Sequence, residues 1–182
     1  MRLKPGNQVK GLELPAIDGS MFNMEMVKGK PFMLSFYRFA SCPFCNLRVN
    51  KLINNFDEFG KDFTLIAVFD SSLDALIRHS GNQKAPFHIL ADESRSYYEE
   101  YGIERSVLGM VKGMTLRFPT LLRAFFSGLI PKELNSSWLT MPADFLVDAE
   151  GVIQKAYYGQ DEGDHLSFDE MKAFALEKRV TL

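Results

Sequence analysis

Cysteine is scarce in this chain: 182 residues carry two, both within Ser41-Cys42-Pro43-Phe44-Cys45. That scarcity excludes a disulfide scaffold. The spacing also argues against a simple staple, because closing a loop of two intervening residues removes little entropy from the unfolded chain. A structural zinc centre wants four ligands, and here there is no second cysteine pair, while His79, His88 and His165 are scattered. No apolar run approaches the roughly 18 residues of a membrane span, so no transmembrane segment is expected. The stretch from Met1 to Lys10 lacks the apolar core of a secretory signal, so export is not expected and a cytoplasmic location is. Basic excess is missing too. Lys and Arg number 21 against 23 Asp and Glu, a net charge of -2, and without a basic stripe no nucleic-acid partner is expected. What remains is ordinary for a globular protein, with 46% hydrophobic and 24% charged residues, and the length suits one domain.

The cysteine turn follows the apolar run Phe32-Met33-Leu34-Ser35-Phe36-Tyr37, which reads as a buried strand. Pro43 suits the first position of a helix, and residues from Asn46 to Phe59 recur at helical spacing. Strand, turn, helix is the reading, with Cys42 at or beside the N-cap and Cys45 in the first turn. Unpaired backbone N–H groups and the positive end of the helix dipole favour a thiolate there. A lowered thiol pKa is what makes cysteine reactive, and in a reducing cytosol such a pair is more often catalytic than structural. Arg38 and Arg48 could lower a thiol pKa further, or be ordinary surface residues.

Either side of this turn the chain alternates short strands and helices. Asp18-Gly19-Ser20 breaks Leu12 to Phe22 into a hairpin, and Phe63 to Phe69 is a second near-continuous apolar strand, suited to a sheet covered on both faces. Asp70-Ser71-Ser72 caps a helix from about Leu73 to His79, closed by Gly81-Asn82. Phe87 to Ala91 is a strand, and Asp92 caps a helix carrying Tyr97, Tyr98 and Tyr101. His88 and these tyrosines read as packing residues rather than a binding site. Ala143 to Asp148 and Val152 to Tyr157 flank Ala149-Glu150-Gly151 as a hairpin. Asp161 to His165 reads as a solvated acidic loop with His165 exposed, and Ser167 caps a closing helix from Phe168 to Lys178. Between these parts, Val107 to Thr140 breaks the rhythm. Leu121, Leu122, Phe125, Phe126 and Leu129 share one face of a helix entered through Pro119, with Lys112, Arg117, Arg123 and Lys132 supplying positive charge. An insertion packed over the sheet is the plainer reading, a surface for a membrane or partner the other.

Strand, Cys-x-x-Cys at a helix start, strand, helix, and a Met141-Pro142 step before a hairpin resemble the thioredoxin fold over nearly the whole chain. The early hairpin, Phe87 to Asp92, Tyr101-Gly102-Ile103 and Phe145 to Asp148 with Gly151 resemble the peroxiredoxin and alkyl hydroperoxide reductase branch, within it the group carrying a Cys-x-x-Cys pair. The resemblance implies an α/β, thioredoxin-like fold: a central mixed sheet flanked by helices, an N-terminal β-hairpin and a helical insertion before a cis-proline. One domain spans 1–182, with the insertion at about 107–140. On the family's Pro-x-x-x-Thr-x-x-Cys pattern, Cys45 takes the peroxidatic position, Cys42 replaces the Thr and Arg38 the Pro. Where the family has an arginine before the strand that here begins near Ala143, Pro142 stands, as in thioredoxins, where a cis proline faces the disulfide. Arg38 or Arg123 could supply the positive charge instead.

The resemblance implies two mechanisms on the same atoms. In the peroxidase version Cys45 attacks a peroxide oxygen and Cys42 condenses with the resulting sulfenic acid. In thiol-disulfide exchange Cys42 attacks a substrate disulfide and Cys45 resolves the mixed disulfide, with Pro142 aligning the partner's backbone. Neither needs a cofactor or metal. The expected partners are a peroxide or disulfide substrate and an external thiol reductant such as a thioredoxin-like protein, and a homodimer is compatible with this. A third reading is a redox-inert binding module that works through the basic insertion.

Overall fold

The computed structural model describes residues 1–80, 84–116 and 136–177. Alternating side chains of the central strand β3 (Phe32–Tyr37) explain its position. Met33, Ser35 and Tyr37 point to one face and Phe32, Leu34 and Phe36 to the other, and all six are buried. A strand buried on both sides belongs in the middle of a covered sheet. Parallel to it lies β4 (Thr64–Phe69), reached through α1 (Pro43–Asn54) and a 3-10 turn at Phe56–Phe59. Beyond β4, α2 (Leu73–Ser80) leads to the parallel edge strand β5 (His88–Ala91). On the other side β6 (Ala143–Val147) and β7 (Ile153–Tyr158) run antiparallel, giving the order β5-β4-β3-β6-β7. The mixed, helix-flanked sheet and the separate N-terminal hairpin, β1 (Glu13–Pro15) with β2 (Met21–Asn23), are those expected.

Two apolar layers hold the sheet. One gathers Phe36, Tyr98, Tyr101 and Phe145 with the hairpin residue Phe22, with Tyr98 and Tyr101 carried by or just beyond α3 (Ser96–Glu100). The other sets both cysteines against Met33, Tyr37, Leu65 and Phe69 under α1, α2 and the closing helix, while Leu166 and Met171 come from that C-terminal end. The insertion begins with α4 (Val107–Leu116), and the closing helix is α5 (Phe168–Glu177). Burying one large apolar side chain stabilises by about 1.5–3 kcal/mol, so the rings on both faces of β3 help to hold it in the middle of the sheet. The closing helix has a capping box: Ser167 Oγ accepts from the Glu170 N–H at 3.2 Å, and Glu170 Oε2 accepts from the Ser167 N–H at 3.1 Å.

Three sequence expectations need correction or lie out of view. The Met141–Pro142 peptide is trans, as is every peptide bond among the described residues. The chain approaching it is pinned in an extended pairing: Ser106 donates to the Leu139 carbonyl at 2.8 Å and Met141 to that of Glu104 at 3.1 Å. A residue before proline favours extended backbone, and trans is the ordinary X–Pro state. The Asp161–His165 loop is packed rather than solvated. Asp161 and Glu162 are buried, and the His165 side chain is 4% exposed because it binds Asp144. Finally, α4 opens the insertion and a 3-10 turn at Ser136–Leu139 closes it, but Gly81-Asn82, Pro119, the apolar stripe from Leu121 to Leu129 and the cations Arg117, Arg123 and Lys132 lie outside the described residues.

Candidate active site

β3 ends at Tyr37, and Arg38 to Ser41 carry the chain to α1. The turn is held by its own polar groups: Ser71 Oγ accepts from the Ala40 N–H at 3.2 Å, and Asn46 Nδ2 donates to the carbonyls of Ala40 at 2.8 Å and Cys42 at 2.9 Å. Cys42 is the N-cap of α1, in extended conformation, with Pro43 following it in the first helical positions. Its Sγ accepts from the Cys45 backbone N–H at 3.4 Å. A proline there has no N–H to lose and a φ already suited to the helix. Both thiols are free and buried.

Arg38 supplies the fixed charge. It is 3% exposed, its Nη1 lies 4.0 Å from Cys42 Sγ, and its Nη2 donates to the carbonyl of Trp138. Trp138, the chain's single tryptophan, stacks on Phe39 with centroids 5.2 Å apart, and the guanidinium lies 5.9 Å from its ring. Burial pushes the Cys42 thiol up, but the hydrogen bond with Cys45, the Arg38 charge and the backbone N–H groups of the helix start outweigh it and bring it down to about 7. Cys45 moves the opposite way. Burial, its hydrogen bond with Cys42 and the neighbouring thiolate's charge all push it well above the ordinary range, against weaker help from Arg38. Once one thiol of such a pair ionises, the second does so less readily, and the Arg38 charge with the helix-start N–H groups favours the charge at Cys42.

Of the residues singled out from sequence, the structure brings Cys42, Cys45, Pro43 and Arg38 together. Pro142 stands at the head of β6, where it lines a cleft of about 330 Å³ with Gly109, Met141, Tyr158 and Gly159. Arg48 turns away to the Leu166 carbonyl at 2.6 Å and the Phe168 ring at 4.7 Å. Arg123 lies outside the described residues. Trp138 and Asn46 escaped sequence reasoning. Asn46, one helical turn after Cys42, was findable from that spacing, whereas nothing near Trp138 in the chain points to Arg38. His88 packs on Phe22 at 4.8 Å, as expected of a structural histidine. Among the described residues no group of three or more His, Cys, Asp or Glu side chains is placed to hold a metal ion, and no helix is long and apolar enough to cross a membrane.

Comparison with known proteins gives the chain a family. The family model described as "AhpC/TSA family" matches residues 5–156. Similar solved structures include the peroxidoxin BcpB of Mycobacterium tuberculosis, 16% identical over 100% of this chain and 99% of that one with a TM-score of 0.69. A thiol peroxidase of Chromobacterium violaceum is 16% identical over 98% and 90%, TM-score 0.68. A Chlorobium tepidum protein described as the thiol:disulfide interchange protein DsbE is 16% identical over 98% and 96%, TM-score 0.60. No curated protein sequence matches the chain. A thioredoxin-like fold with a paired-cysteine helix start defines the class, and the chain belongs to the AhpC/TSA family. It is an oxidoreductase that works through thiols.

Proposed function

We propose that the protein reduces hydroperoxides through a Cys42/Cys45 dithiol–disulfide cycle in which Cys42 attacks first. One observation carries this reading: the Cys42 sulfur caps α1 with Arg38 Nη1 beside it at 4.0 Å. Alignment with the family pattern alone favours Cys45 as the attacker, but the surrounding charges favour Cys42. Its thiolate attacks one peroxide oxygen. The S–O bond forms as the O–O bond breaks, and the leaving alkoxide takes a proton and departs as the alcohol, or as water from hydrogen peroxide. Cys42 is then a sulfenic acid, and Cys45 sulfur attacks it, forming the disulfide and releasing water. The two electrons come from the dithiol, and an external dithiol such as a thioredoxin-like protein restores them. Arg38 holds the thiolate and offers its charge to the departing oxygen, Pro43 starts the helix, and neither step calls on a cofactor. The reading treats 1–182 as one thioredoxin-like domain with an insertion at about 107–140, working in the cytoplasm, where thiols are kept reduced.

Burial favours peroxide over protein substrates. Cys42 has 0% exposure and shares an apolar cluster with Phe39, against which Trp138 packs, so a small oxidant needs far less opening than a folded partner's disulfide. The second reading is thiol-disulfide exchange, favoured by a low-pKa N-terminal cysteine beside a high-pKa partner, with Pro142 aligning the partner chain. Mixing reduced protein with hydrogen peroxide, an organic hydroperoxide or an insulin-like disulfide, and following free-thiol loss, separates the two. Fast oxidation by hydroperoxide and slow oxidation by disulfide is expected. The reverse order selects exchange, and slow oxidation by all three overturns both.

A further inference from the structure

A largely buried polar cluster adjoins the turn that carries Arg38. The Thr140 hydroxyl, 0% exposed, accepts from Arg95 Nη1 at 2.7 Å and donates to Asp70 Oδ2 at 2.8 Å, while Arg95 Nη1 also binds that carboxylate. Arg95 has φ of 63°, the only positive φ outside glycine among the described residues. Few non-glycine residues adopt that conformation without a reason in the surrounding structure. The three side chains come from the end of β4, the start of α3 and the segment entering β6, so the cluster joins three elements at the end of the sheet that carries the cysteines.

Its connections lead to the thiolate by two routes. The Asp70 backbone N–H donates to the Arg38 carbonyl at 3.1 Å, fixing the arginine's main chain. Thr140 is two residues from Trp138, whose carbonyl takes the other end of the same arginine. Asp70 thus ties the start of the Arg38 side chain to the segment that receives its tip. We infer that the Asp70–Arg95–Thr140 cluster is a positioning device for Cys42: it fixes the Trp138 carbonyl relative to β3 and so holds Arg38 over the Cys42 sulfur. The inference rests on the reading of Cys42 as the attacking thiolate. It adds residues that do not touch the reacting atoms and act through Arg38.

The sign of the effect separates positioning from plain electrostatics. Cys42 is faced by Arg38 from the end of β3 and by Cys45 from α1. Tyr37 and Tyr98 bear on Cys45, while Asp70 pairs with Arg95 and the charges of Arg105 and Glu99 bear on Arg95. Asp70 is negative, so acting through space alone it opposes the thiolate, and its neutralisation would make Cys42 ionise more easily. A positioning role gives the opposite result, because a displaced Arg38 leaves the thiolate less stabilised. Thr140 is uncharged, and changing it alters position without altering charge.

The test is alkylation of the full-length reduced protein by iodoacetamide across pH, with the modified sulfur located by fragment-ion mass spectrometry and folding monitored by circular dichroism. Thr140→Val is expected to raise the Cys42 midpoint by about one unit, a roughly tenfold rate loss at about pH 6 with an unchanged plateau at high pH. Thr140→Ser, which keeps the hydroxyl, should restore the wild-type midpoint. If Thr140→Val does not fold, Asp70→Asn is measured instead, and a rise in midpoint is again expected. An unchanged or lowered midpoint in a folded variant overturns the positioning role while leaving Cys42 as the attacker. A wild-type midpoint near the free-cysteine value of about 8.5 overturns the underlying reading itself.

Discussion

Asp144 shows how one residue joins the sheet to the loop that covers it. It sits on β6 opposite Ser35 of β3, fully buried, and accepts from Ser35 Oγ, from the Leu166 N–H at 2.7 Å and from His165 Nδ1 at 3.0 Å. A carboxylate only accepts, so the His165 proton must lie on Nδ1. Burial pushes the Asp144 carboxyl up, but His165, through its charge and hydrogen bond, Arg48 and Ser35 together hold it below the usual range. A depressed folded pKa contributes stability above the unfolded value of about 4 that is lost as pH falls through the lower folded value. Breaking one side of a buried pair typically costs about 3–5 kcal/mol. Urea unfolding should therefore find Asp144→Asn markedly less stable than wild type at neutral pH, with the two converging as the solution is acidified below about pH 4. A gap that stays constant with pH would contradict this.

At the scale of the element, α1 gives Cys42 two roles that can be separated. The sulfur is the helix's N-cap as well as its reactive group. Serine is among the best N-cap residues, and replacing a capping side chain with alanine costs about 0.5–2 kcal/mol. Cys42→Ser is expected to lose thiol reactivity while keeping the cap, and Cys42→Ala to lose both, unfolding at lower urea by about 1 kcal/mol relative to the serine variant. Equal stability of the two variants would mean that the 3.4 Å contact with the Cys45 N–H contributes nothing. The contrast matters for function because that same contact helps to keep the sulfur ionised.

Over the whole molecule, what sequence could reveal follows from how far apart the interacting residues lie. The N-cap, Pro43 and the hairpins are local features, set by residues a few positions apart, and they read correctly. His165 was expected in solvent because its partner Asp144 lies on a strand behind it, and an acidic neighbourhood in the chain gives no sign of that. The seat of Arg38 is harder still: Trp138 is 100 residues away in the chain, near the far end of the insertion, and only folding brings its carbonyl to the guanidinium. The Arg38 charge that favours ionisation at Cys42 is seated by this long-range contact, so the order of attack is open from sequence. It is tested most directly by mixing reduced Cys42→Ser and Cys45→Ser proteins with hydrogen peroxide and trapping sulfenic acid with dimedone over a range of pH. Rapid trapping at Cys42 in Cys45→Ser, rising with pH around neutrality, is expected, with little in Cys42→Ser. Faster trapping at Cys45 in Cys42→Ser would contradict first attack by Cys42.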